Sequence, residues 1–220
     1  MDGLVKILET KKEGNEFSFK NLFVPLTTAK AITWIVIIGF IVYANMLFNG
    51  FVWDDVIFIV SNPNAHSFNV INSFTPNLFN SFGYYRPIPA LYFSSIYSIF
   101  GQEPFIYHFF QISLHIINTC LIFVIFKKYF RIGLSFFLSL IFLIHPIQVE
   151  SVSYIGAGQN QLLFLFGISA FILCMRKNLS LLNILIISVL LLLTLLTKES
   201  GILFFIPILL YQFFFNRKKL

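Results

Sequence analysis

Apolar residues in this chain run in long uncharged blocks, at about 31–48, 104–126, 132–144, 161–175, 179–197 and 201–215. Several reach the ~20 residues that a helix needs to cross a hydrocarbon core. The pattern therefore predicts an all-α polytopic membrane protein with about six transmembrane helices. The first block lies too far from the N-terminus for a removable signal peptide, and no small-residue cleavage pattern follows it.

The polar stretches between the blocks are unequal. Residues 1–30 form a basic lead-in to the module at 31–220, with an amphipathic piece (Phe17, Phe19, Leu22, Phe23) expected to lie on the membrane. Residues 49–103 are too many for a simple connector. They carry the turn or helix-start signals Asn62-Pro-Asn and Ser73-Phe-Thr-Pro-Asn, then the apolar stretch Pro89 to Phe100, too short to span and read as an interfacial helix. Two blocks are themselves short: at ~1.5 Å per residue, 132–144 covers ~20 Å and 161–175 about 22 Å. The joining segment 145–160 is then expected to begin below the membrane surface. Irregular backbone at that depth must be packed in protein or line a wet cavity, which places His145, Glu150 and Gly156-Ala-Gly158 around a sunken pocket.

Composition agrees with a membrane location. With 58% apolar and 11% charged residues, the chain lacks the polar surface of a soluble domain. Six spans with an inside N-terminus place 13 of the 15 basic residues on the inner side. The net charge of +6 thus reflects orientation and implies no nucleic-acid partner. The other side holds Asp54, Asp55, Glu103, Glu150 and Glu199, with Arg86 and Lys198 as its cations. That side is the expected reactive, extracytoplasmic face. Cys120 and Cys174 fall within different spans and read as small apolar residues.

The candidate chemistry follows from this partition. Asp54 and Asp55 stand together at the exit of the first span, in Phe51-Val-Trp-Asp-Asp. Adjacent side chains point in different directions, so one carboxylate can serve as general base while the other orients the loop or helps hold a divalent metal. The alternative is a polar cap ending the helix. Arg86, in Tyr84-Tyr85-Arg86-Pro87, offers a bidentate fork for phosphate, with Tyr85 suited to a headgroup or sugar face; an interfacial anchor is the other reading. Lys198 is the second candidate for a lipid phosphate, although Lys198 and Glu199 can simply neutralise each other. His108, Gln111, His115 and Asn118 form one stripe along the second span, read mainly as interhelical hydrogen bonding. No recognised metal or phosphate-loop motif appears.

Taken in order, the motifs FVWDD, NPN, YYRPI, FGQEPFIYH, HIINT, HPIQVESVSY and TKESG resemble the membrane half of integral-membrane family-C glycosyltransferases. They are closest to protein O-mannosyltransferase-like members that carry tetratricopeptide repeats, over about residues 35–215. The resemblance implies transfer of a sugar, often mannose, from a polyprenyl-phosphate carrier to an extracytoplasmic acceptor such as a protein hydroxyl or glycan. It implies no firm cofactor beyond that lipid-linked donor. Asp54 or Asp55 matches the family's acidic position near the acceptor. Arg86, His145, Glu150, Lys198 and Glu199 match its recurrent polar positions. The chain departs from the pattern at Gly158 and Asn160, where relatives commonly carry an arginine and an acid. Its length reads as a fragment or a minimal module. The rival expectations are a transporter or flippase of a lipid-linked substrate and a non-catalytic assembly subunit.

Overall fold

The computed structural model describes residues 26–75, 84–176 and 178–215. The amphipathic piece expected at 17–23 and part of the turn after Ser73 lie outside them. Every regular element among the described residues is helical. The principal helices are α1 (Thr28–Tyr43), α2 (Pro87–Phe100), α3 (Pro104–Tyr129), α4 (Ile132–Ile144), α5 (Gly158–Cys174), α6 (Leu181–Thr197) and α7 (Phe205–Phe215). Local signals account for their ends. The Thr27 hydroxyl accepts from Lys30 N at 3.2 Å to cap α1, and Ser180 caps α6 in the same way. Pro87 and Pro104 begin α2 and α3 at positions where a missing N–H costs nothing. Lys127 and Lys128 occupy the last turn of α3, against its negative pole.

Helices form at all six apolar blocks, but their lengths differ from the expected set of spans. Among the described residues, three helical stretches are long and apolar enough to cross a membrane: Thr28–Phe48, Pro104–Tyr129 and Ile155–Cys174. A fourth arises if Ile132–Ile144 and Pro146–Ser153, bent by 49°, count as one. The helices at Leu181–Thr197 and Glu199–Phe215 are apolar but fall short. The block expected at 161–175 is longer than its apolar run, because Gln159, Asn160 and Gln161 are taken up in the first turn of α5.

The break between α4 and α5 accounts for three of the four polar residues striped along α3. Pro146 has no N–H and disfavours helical backbone at His145, so α4 stops and its last carbonyls lose their partners. Residues 146–157 then fold as three short helical turns. Their exposed backbone is met from α3, whose His108, Gln111, His115 and Asn118 are all fully buried. His115 Nε2 lies 3.0 Å from the Leu143 carbonyl, which also accepts from the Tyr43 hydroxyl at 2.6 Å. Gln111 Nε2 donates to the carbonyls of Ser151 (2.8 Å) and Tyr154 (2.9 Å), and Asn118 Nδ2 donates to Gln161 Oε1 at 2.9 Å. Gln111 and His115 thus satisfy broken backbone inside an apolar bundle, where water cannot, and Asn118 ties in the start of α5. Around it, Ala31, Ile35, Ile112, Ile116 and Leu143 pack α1, α3 and α4, while Ala170, Ile187, Leu191 and Ile208 join α5, α6 and α7. A further cluster, Ile59, Ala90, Phe93, Tyr107 and Ile155, seats the 56–60 segment and α2 over one end of the bundle.

Candidate functional site

The two aspartates face different ways because of the turn that carries them. Trp53, with φ of 49°, is the one non-glycine residue at positive φ among those described. Such backbone is strained and persists only where surrounding contacts hold it. Those contacts come from Asp55, which is fully buried. Its carboxylate accepts from Val52 N at 3.1 Å and from Gly156 N at 2.6 Å, tying the turn to the segment between α4 and α5. Burial raises the Asp55 pKa above the usual carboxylate range, an effect opposed by these two N–H donors.

Asp54 instead lines a cavity of about 380 Å³, with Phe58, Tyr84, Arg86, Phe93, Gly156, Gln159 and Lys198. The Arg86 guanidinium is fixed on several sides. It forms a bidentate pair with Glu199 (Nη2–Oε2 2.7 Å, Nε–Oε1 3.2 Å), donates to Gln159 Oε1 at 3.0 Å, and lies 4.3 Å from the Tyr84 ring centroid. Lys198 donates to Asn160 Oδ1 at 2.9 Å. Burial and the nearby Arg86 charge lower its pKa, while the Arg86 hydrogen bond lowers that of Glu199. Glu199 is therefore the ion-pair partner of Arg86, which sets aside the alternative in which it simply neutralises Lys198. Lys198 is left as the cation of the cavity with no paired carboxylate among the described residues.

A larger cavity of about 590 Å³ opens beside the first, lined by Asn49, Gly50, Val52, Trp53, Val149, Glu150, Ser153 and Tyr154. Trp53 and Tyr154 meet edge to face at 5.8 Å between ring centroids. Burial, reinforced by the Asp54 and Asp55 charges and a hydrogen bond to Asp54, pushes the Tyr154 pKa up. Trp53 is 80% exposed, so its indole, held on one side by Tyr154, presents most of its surface at this cavity.

The structure brings together Asp54, Arg86, Lys198 and Glu199, with Asp55 behind them and Glu150 at the neighbouring cavity. It does not bring Tyr85 or His145 to either cavity. The Tyr85 hydroxyl donates to the Phe74 carbonyl at 3.2 Å, and exposed His145 accepts from Ile147 N through Nδ1 at 3.2 Å. Of the two tyrosines before Arg86, it is Tyr84 whose ring lies against the guanidinium. Gln159 was missed: in sequence it is one of three consecutive neutral amides, and only its position in the first turn of α5 aims it at Arg86. At the two positions where the chain departs from its resemblance, Asn160 still supplies an acceptor to Lys198, and Gly158 packs directly on Gln111. Among the described residues no cluster of three or more His, Cys, Asp or Glu could hold a metal ion.

Comparison with known proteins agrees with the motif resemblance. The chain is 29% identical over 157 residues to human protein O-mannosyl-transferase TMTC3, a match covering 68% of this chain and 17% of that protein. It is 31% identical over 141 residues to human protein O-mannosyl-transferase TMTC1, covering 59% of this chain and 16% of the relative. It is 25% identical over 180 residues to protein O-mannosyl-transferase F38B6.6 of Caenorhabditis elegans, covering 76% and 25%. The chain therefore resembles the protein O-mannosyl-transferases, and the matches span only about a sixth to a quarter of those relatives' length. No family model matches it, and no solved structure does.

Proposed function

We propose that this chain carries a sugar-transfer site of the protein O-mannosyl-transferase kind, using a mannose-like sugar on a polyprenyl phosphate and a protein hydroxyl as acceptor. The observation that supports it is convergence: Asp54, Arg86 and Lys198, from three distant stretches of sequence, line one cavity. In this reading Asp54 accepts the proton of the acceptor hydroxyl as its oxygen attacks the anomeric carbon. The bond from that carbon to the phosphate oxygen breaks, and the polyprenyl phosphate leaves with the electron pair. Lys198 balances the developing phosphate charge, and the remaining N–H groups of Arg86 assist from a fixed position. The cavity carrying Trp53, Tyr154 and Glu150 receives the acceptor, whose hydroxyl then reaches Asp54 past Tyr154.

The same reading has six spans, with α6 and α7 completing the bundle despite their length, an inside N-terminus, and α2 lying in the outer interface. Local thinning or helix pairing lets short helices cross at modest cost. The test is transfer of radiolabelled mannose from a supplied polyprenyl-phosphate donor to a hydroxyl-bearing protein by the full chain in reconstituted membranes. Label should appear on protein with wild type and be lost with Asp54→Asn. Donor turnover that is the same for both proteins sinks the reading.

A further inference from the structure

The end of the bundle opposite Asp54 carries a second arrangement of paired cations. Between α3 and α5 runs an apolar groove of about 210 Å³, lined by Val124, Ile125, Ile172 and Met175 and closed by Lys128 and Arg176. The Lys128 ammonium does not extend away from the bundle. It turns inward, donating to the Met175 carbonyl at 2.7 Å and to the Tyr211 hydroxyl at 3.1 Å, with the Tyr211 ring centroid 5.3 Å away. Both acceptors are neutral, so the charge stays uncompensated, and one of the three ammonium donors is left over. The one ion pair among the described residues is that of Arg86 with Glu199, at the other end. Neither Lys128 nor Arg176 thus has a carboxylate partner among them. Two unneutralised cations at the mouth of an apolar interhelical groove form the kind of pocket in which an anionic lipid headgroup is held.

We propose that this groove binds one anionic phospholipid, with an acyl chain along Val124 and Ile172 and its phosphate between Lys128 and Arg176. The apolar lining selects a lipid over a free phosphate, and the uncompensated charge selects an anionic lipid over a zwitterionic one. The site is independent of the sugar-transfer reading.

The test is native mass spectrometry of the full chain released from vesicles of mixed phosphatidylglycerol and phosphatidylcholine. Wild type should retain one phosphatidylglycerol in preference to phosphatidylcholine. At about a five-fold effect per cation near a membrane surface, Lys128→Gln and Arg176→Gln should each weaken retention about five-fold, and together roughly thirty-fold. Should Lys128→Gln fail to fold through loss of its two hydrogen bonds, Arg176→Gln carries the charge test alone. Val124→Trp, which fills the groove and keeps both cations, should also abolish retention. Unchanged retention in Arg176→Gln overturns the proposal. So does unchanged retention in Val124→Trp, which reduces the site to surface charge, or displacement of the lipid by an equal concentration of glycerol 3-phosphate.

Discussion

Two cavities at opposite ends of one bundle each hold two cations, and they treat that charge differently. At the Asp54 end, Arg86 is locked by Glu199, Gln159 and the Tyr84 ring, and Lys198 is held by Asn160. Charge there is nearly balanced, and its value lies in position. At the other end Lys128 rests on a carbonyl and a tyrosine hydroxyl, and Arg176 has no carboxylate among the described residues. A preorganised network suits a reaction, because fixed dipoles need no rearrangement as charge develops. An uncompensated pair suits retention of a membrane anion. One arginine and one lysine thus stand in different electrostatic surroundings at the two ends.

The largest effect should separate these ends outright. Asp54→Asn is expected to lower sugar transfer by about 10²- to 10⁴-fold with donor binding retained, whereas Lys128→Gln with Arg176→Gln should leave transfer unchanged in the same vesicles. Loss of activity in the double variant would merge the two ends into one functional unit.

Next comes the division of labour within the Asp54 cavity. Lys198→Gln removes the cavity cation that has no carboxylate in direct ion-pair contact among the described residues, and should weaken donor binding by about 10- to 150-fold, from the roughly 1.5–3 kcal/mol of a charge-assisted hydrogen bond. Arg86→Gln should weaken it less, since the Arg86 charge is already spent on Glu199. Equilibrium binding of a fluorescent polyprenyl phosphate measures both, and the reverse ranking would return the phosphate to Arg86.

The rigidity of that end is tested by stability. Asp55→Ala leaves the part-buried N–H groups of Val52 and Gly156 without their acceptor and should cost about 1–3 kcal/mol. Gly201→Ala should cost a similar ~1–3 kcal/mol by overpacking, because an added Cβ would meet the Thr194 carbonyl oxygen at 2.5 Å, and backbone cannot step aside. Gly158→Ala should be milder, since there the Cβ meets the end of the Gln111 side chain. Thermal unfolding in detergent ranks the three, and an undisturbed melting temperature for Asp55→Ala would remove its role as the tie between the two segments.

The smallest effect is a pH dependence. Arg86 lowers the Glu199 pKa below its ordinary value. Its pairing therefore contributes fully above the unfolded carboxylate pKa of about 4.3 and is lost as pH falls through the lower folded value. Because the Glu199 side chain is 60% exposed, the contribution is small. The difference in melting temperature between wild type and Glu199→Gln should be present at neutral pH and vanish below the ordinary carboxylate range. A difference that persists in acid assigns the stabilisation to hydrogen bonding alone.

Much of this site was legible from residue types. The adjacent aspartates, the two cations on their side and the buried stripe on α3 all stood out as polar groups in an apolar chain. What could not be read was which aspartate lines the cavity. That depends on the positive φ at Trp53 and on Gly156 N, a hundred residues away, claiming Asp55. Lys198 and Glu199, neighbours in sequence, looked like each other's partners, yet Glu199 pairs across 113 positions with Arg86.

The apolar blocks by themselves determined where helices form, because burial of a continuous uncharged run is a local property that any bundle of this chain must satisfy. The starts of α2 and α3 at proline, and the stop of α4 before Pro146, follow equally from backbone chemistry at single residues. Only the tertiary structure decided how long each helix became and which polar groups met. Gln159, Asn160 and Gln161 joined α5 because distant partners (Arg86, Lys198 and Asn118) supply their side chains with hydrogen bonds. A polar side chain in an apolar bundle must find a partner wherever the packing brings one, and packing is set by the whole chain at once.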